Sequence, residues 1–288
     1  MVAIVSLSAA GLGRFWTLDV TDQTRPRVLG SCDLINYGTG ANKPSVVLAR
    51  TRNLALVGAL TSLWVIDVSS PALPRKVGSV TLPGTVNSAV LSADETLAFV
   101  ADGTGDLQVV SIANPASPSI LTGLSLTGVH VDIALAGPLA YLVNSVGTLT
   151  IVNVSTPSAP VFVTSRAPVA GATAQRIAVE GTRAAVLAND SLNSVLQSWN
   201  TTVPSNPVFL GSAIVGPVGT GKGVTMAGGR AYVAASAKGL QSYDLSGVGA
   251  PVLLDSVLTV GGAVGVAVSG LLVFVADLAA LLSLVRIG

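Results

Sequence analysis

Leu63-Trp-Val-Ile-Asp67-Val-Ser-Ser-Pro-Ala-Leu-Pro74-Arg-Lys-Val77-Gly-Ser79 is one copy of a unit that returns along nearly the whole chain. A run of β-favouring residues ends in a small polar residue, a proline-bearing turn follows, and a second β-run begins. The polar residue, here called the turn anchor, falls at Asp19, Asp67, Ser111, Asn153, Asn200 and Asp244. Seven residues after each stands a proline: Pro26, Pro74, Pro118, Pro160, Pro207 and Pro251. Four residues before each anchor is a large apolar residue (Phe15, Leu63, Leu107, Leu149, Leu196, Leu240), and ten after is another (Leu29, Val77, Leu121, Val163, Leu210, Leu254). These positions define two strands flanking the turn.

Two more short β-runs precede the anchor strand, for example Val86 to Leu91 and Thr96 to Ala101, or Val264 to Val268 and Leu272 to Val275. They are too short for helices and are bounded by Gly, Pro and Asp. Each unit therefore holds four short antiparallel strands, and the anchors are spaced 48, 44, 42, 47 and 44 residues apart. Four strands in that period point to an all-β β-propeller of four-stranded antiparallel blades. The chain reads as a single propeller domain over 1–288, with units near 1–40, 41–84, 85–128, 129–171, 172–219, 220–262 and a partial 263–288. In the partial copy Arg286 takes the anchor place and Leu282 the apolar one. Seven blades are favoured; six plus a spare C-terminal hairpin is the alternative.

The proline begins the last strand of each unit, where no ladder donor is lost, and it blunts an outer edge. The anchor side chain is suited to accept a backbone N–H in the turn that follows.

Composition narrows the function. Charged residues make up 10% of the chain and the net charge is +1, with no basic stripe for nucleic acid. With 50% hydrophobic residues the chain is not disordered. The single cysteine, Cys32, excludes an internal disulfide. Val257 to Ala276 carries no charge, yet its β-branched residues and glycines align with earlier repeats, so it reads as paired strands and not as a transmembrane segment. The N-terminal residues lack the basic start of a signal peptide; if the protein is exported, its signal is not within them.

Leu63-Trp-Val-Ile-Asp67-Val-Ser-Ser-Pro and Leu107-Gln-Val-Val-Ser111-Ile-Ala-Asn-Pro resemble the LVIVD repeat. The resemblance implies a β-propeller of the kind found mainly in bacterial and archaeal exported or cell-surface proteins, with no common activity to carry over to residues here. Ser111 and Asn153 in place of Asp depart mildly from the pattern. Asn200 after Trp199, and Val248 where a first proline would stand, depart further.

Sites of chemistry are scarce. Gly216-Pro-Val-Gly-Thr-Gly221-Lys222-Gly223 fits part of a phosphate loop, but Gly223 replaces the magnesium-binding hydroxyl and a strand follows. Asp102 and Asp106 are a weak metal candidate without a distal acidic ligand; otherwise no metal and no cofactor is implied. His130 is the only histidine and has Asp132 nearby, with no nucleophile elbow in the chain. One constellation stands out: Lys43, Asn87, His130 with Asp132, Gln175 with Arg176, and Lys222 align just before the innermost strands, where they would gather at a channel mouth.

The leading expectation is a non-enzymatic interaction scaffold, extracellular or on the cell surface, binding a protein or carbohydrate through loops or the channel mouth. One alternative is a hydrolase or lyase using Asp132, His130 and Arg176. Another is an assembly subunit that oligomerises through incomplete terminal blades.

Overall fold

The computed structural model describes residues 2–7, 13–22, 25–34, 45–104, 106–167, 171–279 and 281–287. Among these residues all regular structure is β, arranged in consecutive antiparallel sheets. The first sheet has three strands, β1 (Val2–Leu7), β2 (Gly13–Asp19) and β3 (Arg27–Leu34). Five four-stranded sheets follow. They are β4 (Ser45–Ala49) to β7 (Arg75–Thr81) through β5 (Leu54–Ala59) and β6 (Ser62–Asp67); then β8 (Val86–Leu91), β9 (Leu97–Asp102), β10 (Asp106–Ser111) and β11 (Ser119–Ser125). Next come β12 (His130–Ala136), β13 (Leu139–Asn144), β14 (Leu149–Asn153) and β15 (Val161–Arg166), and then β16 (Thr173–Glu180), β17 (Arg183–Asn189), β18 (Asn193–Asn200) and β19 (Val208–Pro217). The fifth holds β20 (Gly223–Ala227), β21 (Arg230–Ala234), β22 (Leu240–Asp244) and β23 (Val252–Val257). The last sheet again has three strands, β24 (Ala263–Ser269), β25 (Leu272–Asp277) and β26 (Leu281–Arg286).

Every four-stranded sheet is an up-and-down meander, the connectivity of a propeller blade. Five blades are complete, and each terminal sheet holds three strands. In the C-terminal sheet β24 pairs with β25, and Arg286 lies opposite Leu272 as the anchor Asp67 lies opposite Leu54. The strands divide into two compact units, Met1–His130 with Thr156–Ala159 and Val131–Ser155 with Pro160–Gly288. No helix among the described residues is long and apolar enough to cross a membrane; the uncharged run after Val257 forms strands.

The near-continuous apolar character of Leu63-Trp-Val-Ile has a direct cause. Successive side chains of a strand point to opposite faces, and here both faces are covered. In the first unit Leu63 and Val65 of β6, with Leu54 and Leu56 of β5, pack toward the β8–β11 sheet. Trp64 and Ile66, with Ala55 and Val57, pack toward the β1–β3 sheet. The second unit repeats this: Ala184, Val186 and Ala188 of β17 join one core, Ala185 and Leu187 the next. Each fully buried leucine or valine contributes about 1.5–3 kcal/mol. Fourth strands are edges and far more open; β23 is exposed along all its residues.

The turn chemistry follows the sequence closely. Each recurring proline directly precedes the first residue of the strand that follows the anchor turn. Asp67 Oδ1 accepts the Ser69 N–H at 2.9 Å, and the same two-residue turn forms at Asp19, Asn153, Asn200 and Asp244. In the Ser111 copy Asn114 accepts the Ala116 N–H instead, at 3.2 Å. The apolar residue ten positions after the anchor has a role that spacing alone hides. In all six copies the ladder between the anchor strand and the strand after it slips by one residue just before the anchor. The extra residue is Leu29, Val77, Leu121, Val163, Leu210 or Leu254, so each is a β-bulge that bends the outer strand.

The residue after the bulge faces the next repeat. A Cβ on Gly30 would lie 2.4 Å from the carbonyl oxygen of Ala72, and one on Gly78 2.2 Å from that of Pro115. Glycine there lets the following proline turn seat directly on the strand.

Candidate functional site

Two of the polar residues singled out, Asn87 and Gln175, sit on a second set of bulges in the first strands. Register slips at Asn87 in β8, Gln175 in β16 and Val264 in β24, turning each of these residues out of the ladder. In the first unit Asn87 is half-buried, and its Nδ2 donates to the His130 carbonyl at 2.7 Å. His130 itself is fully buried. Lys43 lies outside the described residues.

In the second unit Asp132 is buried, and its Oδ2 accepts the Ile177 N–H at 2.8 Å. The first unit uses the same device at the matching place: Ser45 Oγ accepts the Ala89 N–H at 3.0 Å. A side chain on one first strand thus satisfies a backbone donor on the next, which an unpaired strand edge requires. Arg176 is half-buried and donates from Nη1 to the Gln175 carbonyl at 2.8 Å. Lys222 precedes β20, and its backbone N–H reaches the Ala234 carbonyl at 2.9 Å.

The glycine-rich loop is spent on packing. Gly221 N–H donates to Ser194 Oγ, a Cβ at Gly221 would meet Leu187 at 2.7 Å, and one at Gly223 would approach the Gly265 Cα at 3.3 Å. The two aspartates considered for a metal part company in role. Asp102 is fully buried, and its carboxylate accepts the Gly84 N–H at 3.0 Å and both the N–H and hydroxyl of Thr104 at 2.9 Å. Asp106 opens β10, half-buried. Among the described residues no three His, Cys, Asp or Glu side chains group to hold a metal ion.

Two carboxylates that spacing did not single out act as clamps. Glu95 accepts the N–H groups of Arg50 and Thr51, each at 2.9 Å. In the second unit Glu180 accepts those of Gly228 and Gly229, each at 2.8 Å. Both lie at the turn between first and second strands and grip the equivalent turn of a neighbouring sheet. Their partners are some 45 residues away, so no local pattern announces them.

Hydrogen bonding also sets the titration of the anchors. Asp19 is held down at about 2 by the Thr21 hydroxyl and N–H, with Arg27 assisting. The Ser69 hydroxyl and N–H lower Asp67, and those of Ser246 lower Asp244.

The anchor turn and its repeat decide the family. The LVIVD repeat matches residues 53–82, 87–123, 127–167 and 218–259, just over half of the chain. The chain belongs to the LVIVD-repeat family. The copies at Asp19 and Asn200 lie outside the matched stretches, yet they build the same turn, so this LVIVD protein carries the repeat geometry further than its sequence match. Among solved structures it is similar to the β-propeller domain of Myceliophteria thermophila Cps50 (Swd1), at 12% identity and TM-score 0.70, over 100% of this chain and 99% of that one. It is also similar to the computationally designed Ika8 protein, at 11% identity and TM-score 0.64, over 99% and 93% of the two chains. At such identity the likeness shows the fold alone: a β-propeller. No curated protein sequence matches.

The second unit exposes aliphatic side chains in its turns and connections. In an up-and-down sheet the turn between second and third strands lies at the same end as the connection to the next sheet. Val146, Leu192 and Leu278 occupy those turns, and Val218, Leu258 and Val260 occupy those connections. Their exposures run from 55% to 84%. Buried strands explain most apolar residues of this chain; these six have no core to fill.

Proposed function

We propose that this LVIVD-repeat propeller is a non-enzymatic interaction scaffold that binds a protein partner through the loops at the second–third-turn end of its blades. The observation that carries the reading is the recurrence of exposed aliphatic side chains at that end, from Val146 through Leu192, Val218, Leu258 and Val260 to Leu278. Apolar side chains that recur at successive turns of one end mark binding surfaces more often than single scattered ones do, and the opposite end of this unit exposes fewer, at Val203, Val248 and Leu271. The polar first-strand residues support the same reading: Asn87, Asp132 and Arg176 engage backbone groups of the scaffold. Placement outside the cell, secreted or surface-bound, is part of the proposal and rests on the family resemblance.

The test is a binding screen with the purified chain against a displayed protein-fragment library and a carbohydrate array. Binders are then measured by interferometry on a variant carrying Val146→Asp, Leu192→Asp and Leu278→Asp. These exposed positions change stability by no more than about 0.5 kcal/mol. Protein fragments that bind the wild type and lose at least about tenfold in affinity on the variant support the reading. Binders indifferent to the three changes, or carbohydrate ligands alone, refute it.

A further inference from the structure

We propose that the loop patch around Lys222 and Lys238 binds a segment of a partner protein in which carboxylates are interspersed with aliphatic side chains. The proposal rests on the scaffold reading above and names the chemistry of the partner. The patch lies wholly within the second unit. It joins the β17–β18 turn with Leu192, the β19–β20 connection with Val218 and Lys222, and the β21–β22 turn with Lys238. Leu258, on the connection after β23, completes it.

Backbone contacts hold these residues side by side. Val218 N–H donates to the Leu192 carbonyl at 2.8 Å. Lys238 Nζ donates to the Val215 carbonyl at 3.1 Å, which sets its ammonium at the strand end that leads into Val218. A Cβ at Gly239 would lie 2.8 Å from the Leu258 Cα, so the Lys238 turn also abuts the Leu258 connection. Lys222 N–H reaches the Ala234 carbonyl at 2.9 Å and Lys238 N–H the Ala235 carbonyl at 2.9 Å, so the two lysines flank the end of β21. Leu192, Val218 and Leu258 are exposed around them, and so is Lys238.

Charge specifies the partner. The carboxylates of these and the adjoining loops are turned onto backbone. Asp190 accepts the N–H groups of Leu192 and Asn193 at 2.8 and 2.6 Å, and Asp277 those of Gly261 and Ala279 at 3.0 and 2.8 Å. Neither Lys222 nor Lys238 forms an ion pair among the described residues. A carbonyl acceptor leaves an ammonium its full charge, and a partner that covers the aliphatic neighbours also strips water from it. A segment without carboxylates therefore leaves both cations desolvated and unpaired, whereas one that carries them supplies the counter-charge and steers the encounter. Leu192, Val218 and Leu258 call for apolar side chains among those carboxylates.

The probes are short fluorescein-labelled peptides of Leu-Glu-Ser repeats, with matched Leu-Gln-Ser and Leu-Lys-Ser peptides, titrated with the 288-residue chain by fluorescence anisotropy. The glutamate peptide is expected to bind about fivefold more tightly than the glutamine peptide, and the lysine peptide least. That preference should shrink as salt rises to about 0.5 M, a measurement that needs no variant. Lys222→Gln together with Lys238→Gln should abolish it; glutamine keeps a donor for the Val215 carbonyl, and an unchanged urea midpoint reports an intact fold. No binding of the glutamate peptide up to about 1 mM overturns the proposal. So does a preference that is absent or that the lysine variant leaves unchanged, or binding to anionic phospholipid vesicles without binding to the peptide. The neutral variant Leu192→Ser, Val218→Ser, Leu258→Ser separates the two readings, since it should weaken the glutamate and glutamine peptides alike. If it does so while the two bind equally to the wild type, the charge inference alone fails. If it weakens neither, the loop surface itself fails.

Discussion

Gly78→Ala tests the packing logic of the repeat at its tightest point. A methyl group there would sit 2.2 Å from the Pro115 carbonyl oxygen and 3.0 Å from both the Ala116 carbonyl carbon and the Pro118 Cδ. Ordinary contact requires the turn to retreat by more than about 1 Å. The turn resists: Ser117 N–H bonds the Asn114 carbonyl at 3.1 Å, Asn114 Oδ1 holds the Ala116 N–H at 3.2 Å, and two prolines fix its φ angles. Overpacking of this kind costs about 1–3 kcal/mol. The backbone of Gly78 is not in the left-handed region, so alanine also gains about 0.4–1 kcal/mol by restricting the unfolded chain. Because the obstacle is backbone and not a flexible side chain, a net loss of about 2 kcal/mol is expected, or a fall in Tm of roughly 5 °C. Gly265→Ala is the control, since its Cβ would meet only the Ala276 Cβ at an ordinary 3.4 Å; it should be neutral or slightly stabilising. Urea unfolding followed by far-UV circular dichroism measures both. If Gly78→Ala unfolds within about 0.5 kcal/mol of wild type, the account of glycine as the seat of the next proline turn is wrong.

Other expectations follow from single contacts. Asp67→Ala removes the Ser69 turn bond and should cost about 1 kcal/mol in urea unfolding, whereas Asp67→Asn, which copies Asn153 and Asn200, should lose only the exposed Arg75 pair and about half as much or less. Glu180→Ala leaves the N–H groups of Gly228 and Gly229 without their acceptor; a loss of about 1–2 kcal/mol and faster amide exchange at those two glycines are expected. Acid should weaken the fold through the anchors. Asp19, Asp67 and Asp244 are depressed in the folded state, so their contribution is present above the unfolded carboxylate range and fades as pH falls from about 4 toward 2; the urea midpoint should drop across that window, and less so when all three are asparagine. At the alkaline end burial pushes Tyr243 up to about 12, so the unfolded state gives up its proton first and stability should fall as pH rises from about 10 to 12; Tyr243→Phe should flatten that limb in the same titration.

Much of the fold is legible because the signals are local. An anchor accepting the N–H two residues on, a proline that starts an edge strand and apolar runs of four to six residues each act within one turn or strand. The strands placed by pattern at Val86 to Leu91 and Val264 to Val268 appear as Val86–Leu91 and Ala263–Ser269. Less of the candidate site was legible, because its contacts run between sheets. Alignment of repeats put Asn87, Asp132 and Gln175 just before the innermost strands; they lie within β8, β12 and β16, and alignment could not show that Asn87 and Gln175 are bulge residues or that Asp132 receives an N–H 45 residues away. Glu95 and Glu180 escaped notice for the same reason, as a lone glutamate near a turn looks like any solvated charge until its partner strand is in place.

Sequence alone determined the repeat, the four-strand unit, the turn chemistry and the family, since each depends on residues within reach along one unit. Tertiary structure decided which side chains are spent on the scaffold and which stay exposed. Glycines at 30 and 78 became seats for neighbouring backbone, and the apolar residues ten after each anchor became bulges. The physical reason is that burial and hydrogen-bond satisfaction are settled between sheets, across separations of some 45 residues, where a one-dimensional pattern records the spacing but not the contact.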